Sequence, residues 1–203
     1  MNQKIKAVVF DVGGVLCEWQ EICREFAKEI GVEEEEFLKV FLKHSLDPIS
    51  GSDLGWISMD EFFDKLTDDL GVPEKTKVWR KRFIPGFKRI EETYELVEEL
   101  EGKFELAVLT NAKIGLWDEW KEGRLKEYFK IIVDSSEEHV LKPDEKIYRI
   151  LLDRLKLKAE ECLFIDDDEK NTLAADKLGF QTVHFTNPKA GVKSIRKTLY
   201  ETI

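Results

Sequence analysis

A few acids, a hydroxyl and a lysine in this 203-residue chain have the types and spacing to do chemistry. Asp11 follows the apolar run AVVF and precedes Gly13 and Gly14. Thr110 and Asn111 follow FELAVL, and Lys142 stands before Pro143, which suits the first turn of a helix. Asp166, Asp167 and Asp168 follow CLFI, with Asn171 just beyond. Singly, each reads as a turn, a cap or a solvated charge. Converged on one site, three carboxylates and one lysine leave a net charge of about −2, and like charges that close must protonate or bind a cation. All-oxygen ligation with room for water suits Mg²⁺. A phosphate adds roughly two more negative charges. It enters only if the metal, Lys142, the Thr110 hydroxyl and the backbone amides of the Gly13–Gly14 loop oppose that repulsion. Asp11 then stands where it can attack phosphorus in line, forming an aspartyl-phosphate that water hydrolyses.

These groups meet only if their elements deliver them to one edge. Short apolar runs at 5–10, 104–109, 130–134, 162–166 and 181–185 have strand length and lack clean alternation, as strands buried on both faces do. Helical patterns over about 114–128, 144–157 and 169–179 separate the last four runs, the last pattern closed by Gly179. The alternation predicts an α/β fold, a Rossmann-like doubly wound parallel sheet of about five strands, whose ligands bind beyond the strands' carboxyl ends. All four polar groups fall at or just after such ends. About 90 residues separate the first two runs, where a crossover needs only about a dozen. Helical patterns fill the excess at 21–31, 34–43, 58–71 and 74–83, the third opening on Ser58 and Glu61 in capping-box spacing. The predicted organisation is an α/β core (1–16 plus 87–203) carrying the site, with an inserted four-helix-bundle cap (17–86).

A net charge of −10 argues against a nucleic-acid or anionic-membrane partner. No apolar run approaches the ~18 residues of a membrane span. Cys17, Cys23 and Cys162 form an odd, scattered set without metal-ligand spacing, as expected in a reducing cytoplasm. The expected partner is a small-molecule phosphate ester, and the expected assembly a monomer or homodimer.

As a set, the motifs resemble the haloacid dehalogenase superfamily in its phosphatase branch. FDVGGVL is similar to that family's nucleophile motif, LTN (109–111) to its second, LKPDEKIY (141–148) to its lysine motif, and FIDDDEKNTLAADKLG (164–179) to its metal motif. GWISMDEF (55–62) is similar to a segment common in the family's first class of helical caps. The resemblance implies Asp11 as nucleophile and Mg²⁺ ligand, the Gly13 carbonyl on the metal, and Thr110 on the transferring phosphoryl group. By the same resemblance Lys142 would offset charge, Asp166 and Asp167 would hold the metal, and Asn171 would orient the loop; Gly14 and Asn111, at the same strand ends, are expected to bind the phosphate.

Family phosphatases usually carry a second acid two residues after the nucleophile, and here that position is Gly13. Its loss should be felt most with poor leaving groups. A sugar 1-phosphate is the substrate expected on that ground, and bacterial members resembling glucose-1-phosphate phosphatases also carry glycine here. Glu18, His44, Asp47 and Asp53 are candidate replacement acids. The competing expectations are a non-catalytic binding protein of this fold and a 2-haloacid dehalogenase. Trp19, Trp56, Phe62 and Phe63 are the conspicuous aromatics of the inserted segment, with Trp117 and Trp120 after the second motif.

Overall fold

In the chain's structure, a computed structural model that describes residues 5–116 and 125–200, the apolar runs become a five-stranded, wholly parallel sheet. In chain order the strands are β1 (Ala7–Phe10), β4 (Glu105–Thr110), β5 (Ile131–Asp134), β6 (Cys162–Asp166) and β7 (Gln181–His184); the gap in numbering is filled by a separate pair, β2 (Cys17–Glu18) and β3 (Lys88–Arg89). The spatial order is β5-β4-β1-β6-β7. The chain builds outward from β1 on one side, then crosses to build the other, so a crevice opens beyond the carboxyl end of β1.

Both faces of the sheet are covered, which is why its strands read as near-continuous apolar runs. Val8, Phe10, Val108 and Ile165 face one core, with Leu96 and Val97 of α5 (Glu91–Leu100) and Val192 and Ile195 of α10 (Pro188–Tyr200). Val9, Leu109 and Phe164 face the other, with Ile147, Tyr148 and Leu151 of α8 (Glu145–Leu155) and Ala175 of α9 (Glu169–Lys177). Two single helical turns, α6 (Leu125–Tyr128) and α7 (Ser135–Glu138), flank β5. The helical pattern expected over 114–128 lies partly outside the described residues, as do Trp117 and Trp120. Pro143 does not open α8. Asp144 caps that helix, its side chain accepting from Lys146 N, and the proline stands one residue before the cap.

Between β2 and β3 lie α1 (Gln20–Ile30), α2 (Glu34–Leu46), α3 (Met59–Asp69) and α4 (Thr76–Phe83). Ser58 caps α3 reciprocally with Glu61, as the spacing predicts. The helices pack α1 on α2, α2 on α3 and α3 on α4. Their shared interior is aromatic: Phe26 stacks on Trp79 at 4.6 Å, and Phe41 meets Phe62 edge-on at 5.0 Å. Phe62 and Phe63 are fully buried there, so they are core rather than cavity lining. The antiparallel pair β2–β3 joins the two ends of this segment, Cys17 opposite Arg89 and Glu18 opposite Lys88.

Candidate active site

Strand β1 ends by delivering Asp11 to the sheet's carboxyl edge, where its backbone N–H donates to Ile165 O at 2.9 Å. Strand β6 ends one position over with Asp166, which is fully buried. Lys142 reaches in between: its Nζ lies 2.9 Å from Asp11 Oδ1 and 2.6 Å from Asp166 Oδ2. The lysine's backbone is itself held, since Asn111 Nδ2 donates to Lys142 O (3.1 Å) and Lys142 N donates to Asn111 Oδ1 (2.8 Å). Asn171 Nδ2 donates to both oxygens of Asp166, at 3.0 and 3.2 Å. Asp11, Asp166 and Asp167 each turn an oxygen into one locus, all within 4.8 Å of one another. Such an all-oxygen, three-carboxylate set fits a hard divalent cation.

Charge crowding shows in the titration of these groups. Burial, with Asp166 and Asp167 nearby, pushes the Asp11 carboxyl up to about 7 even though Lys142 pulls the other way. Burial, then Asp166, push Asp167 up to about 6. Burial opposes the charge on Lys142, but Asp11 and Asp166 outweigh it and hold its pKa above the ordinary lysine value. One ammonium is therefore shared among three carboxylates, and the cluster lacks positive charge.

A cavity of about 260 Å³ runs from this cluster into the inserted segment. Asp11, Gly13, Thr110, Asn111 and Asp167 line its polar end. Trp19, Phe41, Leu42, Leu46, Phe83 and Phe87 form most of the remaining wall, with Gln20, Asp53 and Lys113. The two glycines after Asp11 serve separate fits. Gly14 has φ +73°, and a Cβ there would stand 2.2 Å from Asp167 Oδ2, so only glycine lets that carboxylate close on the turn. A Cβ on Gly13 would lie 2.9 Å from Trp19 Nε1 and Cδ1: the indole stands where a side chain at 13 would go.

Several groups sit otherwise than expected. The Gly14 amide, expected on a phosphate, donates instead to Cys17 O at 2.8 Å. The Asn111 side chain, also expected on a phosphate, spends both its polar atoms on the Lys142 backbone. Asp168 caps α9, accepting from Lys170 N, which is the ordinary role open to it. Of the replacement acids, Glu18 is exposed on β2. His44 pairs with Asp69 at 2.9 Å, and Asp47 accepts from Ile49 N and Ser50 N. Only Asp53 borders the cavity, and it is in a buried ion pair with Lys113 at 2.9 Å. Trp56 stacks on His139 at 4.6 Å, and its Nε1 donates to Pro48 O.

Lys113 is the residue of the site that sequence reading passes over. It stands in the loop after β4, 4% exposed, with Nζ donating to Asp53 Oδ1 and to Ser45 Oγ at 3.0 Å. The same ammonium lies over the rings of Phe41 (4.5 Å) and Phe62 (4.4 Å). Its only signal in sequence was position, three residues beyond Thr110 at a strand end.

The family of haloacid dehalogenase-like hydrolases matches residues 5–179 of this chain. The sesquiterpene phosphatase astK of Aspergillus oryzae is 26% identical over 97% of this chain and 98% of its own length. The (S)-2-haloacid dehalogenase 1 of a Pseudomonas species is 25% identical over 88% of this chain and 83% of its own. A haloacid dehalogenase family enzyme of Bacteroides thetaiotaomicron, solved with magnesium and inorganic phosphate, has a TM-score of 0.69 and 25% identity, covering 88% of this chain and 93% of that one. With its five-stranded parallel sheet and a family match that spans most of its length, the chain belongs to the haloacid dehalogenase-like hydrolases.

Proposed function

We propose that the chain hydrolyses small phosphate monoesters in a Mg²⁺-dependent reaction through an aspartyl-phosphate on Asp11. The observation that carries this reading is the cluster of Asp11, Lys142, Asp166 and Asp167 at one end of the cavity. Asp11, Asp166 and Asp167 would hold Mg²⁺, with the Gly13 carbonyl. When bound, the ion offsets the carboxylates' charge and that of the incoming phosphate.

In the first half-reaction an Asp11 oxygen bonds to phosphorus as the ester P–O bond breaks, and the electron pair leaves with the ester oxygen. In the second, water attacks phosphorus, the Asp11–phosphate bond breaks, and inorganic phosphate leaves with the carboxylate restored. Lys142 stays cationic throughout, opposing the charge on Asp11 and on the transferred group. Thr110, 2% exposed at the end of β4, offers a hydroxyl to the phosphoryl oxygens. Asn111 and Asn171 act at one remove, fixing Lys142 and Asp166. Residues 17–86 would serve as a cap over the core formed by 1–16 and 87–203, supplying the wall that excludes water.

The test is phosphate release from a panel of monoesters with and without Mg²⁺, alongside Asp11→Asn. We expect turnover only with the metal, none in the folded variant, and a borohydride-trappable acyl-phosphate at position 11 in the parent chain. No release from any ester at saturating Mg²⁺ would overturn the reading.

A further inference from the structure

The cavity says more about the leaving group than the acid cluster does. Beyond Asp11 its walls are mainly Trp19, Phe41, Leu42, Leu46, Phe83 and Phe87, aromatic and aliphatic side chains among which Gln20 brings the one uncharged amide, so they offer little to a sugar's several hydroxyls. Hydroxyls seated against them would lose their water partners and gain few in return. The two charged groups bordering this part, Lys113 and Asp53, are engaged with each other. The remaining reach of the ammonium goes to Ser45 Oγ and to the faces of Phe41 and Phe62. An apolar cavity on the order of 150 Å³ accepts a benzene ring, so about 260 Å³ holds a phosphoryl group with one or two fused rings.

A second, independent observation concerns protonation. Position 13 has no side chain, and the Trp19 indole fills the direction in which one would project, 2.9 Å from the ideal Cβ. An indole N–H can donate a hydrogen bond but does not give up its proton. Lys113 is committed to Asp53 and Ser45, Asp168 caps α9, and Asp11 and Asp167 are taken by the phosphoryl group and the metal in the reading above. Among the described residues, no side chain lining the cavity is therefore left to protonate the departing oxygen. That oxygen must therefore leave as an anion that is stable in its own right. A phenolic oxygen, whose conjugate acid titrates near ~10, meets this condition, and an alkanol oxygen does not.

Resting on the phosphomonoesterase reading above, we infer that the site is built for aryl phosphates: monoesters of an apolar phenol-type alcohol, ring seated against Trp19 and Phe41, phosphoryl group at Asp11. The hemiacetal oxygen of a sugar 1-phosphate satisfies the leaving-group condition but fails the wall. An apolar alkyl phosphate satisfies the wall but fails the leaving group. In the step itself the P–O(aryl) bond breaks as the Asp11–phosphorus bond forms. The phenolate departs with the electron pair and takes a proton from water.

The experiment compares kcat/KM at saturating Mg²⁺ for 2-naphthyl phosphate, phenyl phosphate, benzyl phosphate and glucose 1-phosphate. The aryl esters are expected to exceed both others by about 10² or more, the size of effect a missing acid leaves on a poor leaving group. Glucose 1-phosphate matching 2-naphthyl phosphate overturns the inference, and so does benzyl phosphate matching phenyl phosphate; in either case the phosphomonoesterase reading stands. Silence on all four, and on every other ester, overturns both. Because aryl esters are intrinsically reactive, Leu46→Asp supplies a binding readout. Leu46 is 42% exposed at the cavity rim, so the fold tolerates the change. The variant should raise KM for 2-naphthyl phosphate about tenfold, the loss of one good apolar contact, with inhibition by inorganic phosphate unchanged. An unchanged KM means the ring is seated elsewhere, and the inference fails.

Discussion

Three carboxylates around one ammonium make Asp11, Asp166, Asp167 and Lys142 a problem in charge, while the two residues after Asp11 make a problem in space. Gly14 is required by Asp167, and Gly13 by Trp19. Restoring an acid at 13 therefore takes two changes. Gly13→Asp alone should cost ~1–3 kcal/mol of stability through overpacking against the indole, read as a lower urea midpoint at constant m, and should gain no rate. Gly13→Asp with Trp19→Ala opens the room, and its rate on benzyl phosphate should rise by up to ~10². Sequence shows the glycine, and shows that an acid is missing. It does not show what occupies the space, because Trp19 reaches Gly13 only after the turn that leads into β2 has folded.

Among the elements, the strand ends were legible and the links between segments were not. Runs such as AVVF and CLFI are apolar without alternation because both faces of β1 and β6 are buried, and that pattern survives in one dimension. Strands β2 and β3 have two residues each, too few to carry any period. Lys113 carries no mark in the sequence because its partners, Asp53 and Ser45, stand 60 and 68 positions away in the chain. That pair links the loop after β4 to the helical segment. Lys113→Met should cost ~3–5 kcal/mol, since it strands a buried carboxylate, and adding Asp53→Asn should recover much of the loss; urea denaturation of both variants checks this. Asp134, capping α7 at the end of β5, gives a second test at this scale. Burial pushes its carboxyl up to about 6 despite hydrogen bonds from Ser136. A carboxyl raised in the folded state contributes fully below its unfolded value of 3.8, and that contribution is lost as pH rises through about 6. Asp134→Asn should therefore flatten the fall in stability between those two pH values, measured by thermal melts across the window.

For the whole molecule, the shortage of positive charge in the cluster means that the proposed metal would add to stability as well as to catalysis. An ion that binds only the folded chain adds about 2.7 kcal/mol at a hundredfold excess over Kd. In a domain of this size that corresponds to a Tm rise of roughly 5–10 °C with Mg²⁺. Asp167→Asn should abolish the rise, and an unshifted melt in the parent chain would remove Mg²⁺ from the site. That several helices stand between β1 and β4 was readable from one oversized interval between the apolar runs. The strand order, with β1 at the centre, was not, because nothing in the spacing of apolar runs says on which side of β1 the later strands add.

The short ladder of β2 and β3 sets Cys17 beside Arg89 and Glu18 beside Lys88, so the chain leaves toward the helices and returns through a single backbone doorway. Whatever is spliced into that doorway closes a loop at nearly constant entropic cost, about 0.6 kcal/mol for each doubling of length. The register of Asp11 against Asp166 is set behind it, by β1 pairing directly with β6. The doorway is thus a graft point: helices of other lengths and linings could be exchanged there, changing which alcohols are admitted while the phosphorus-handling residues keep their places.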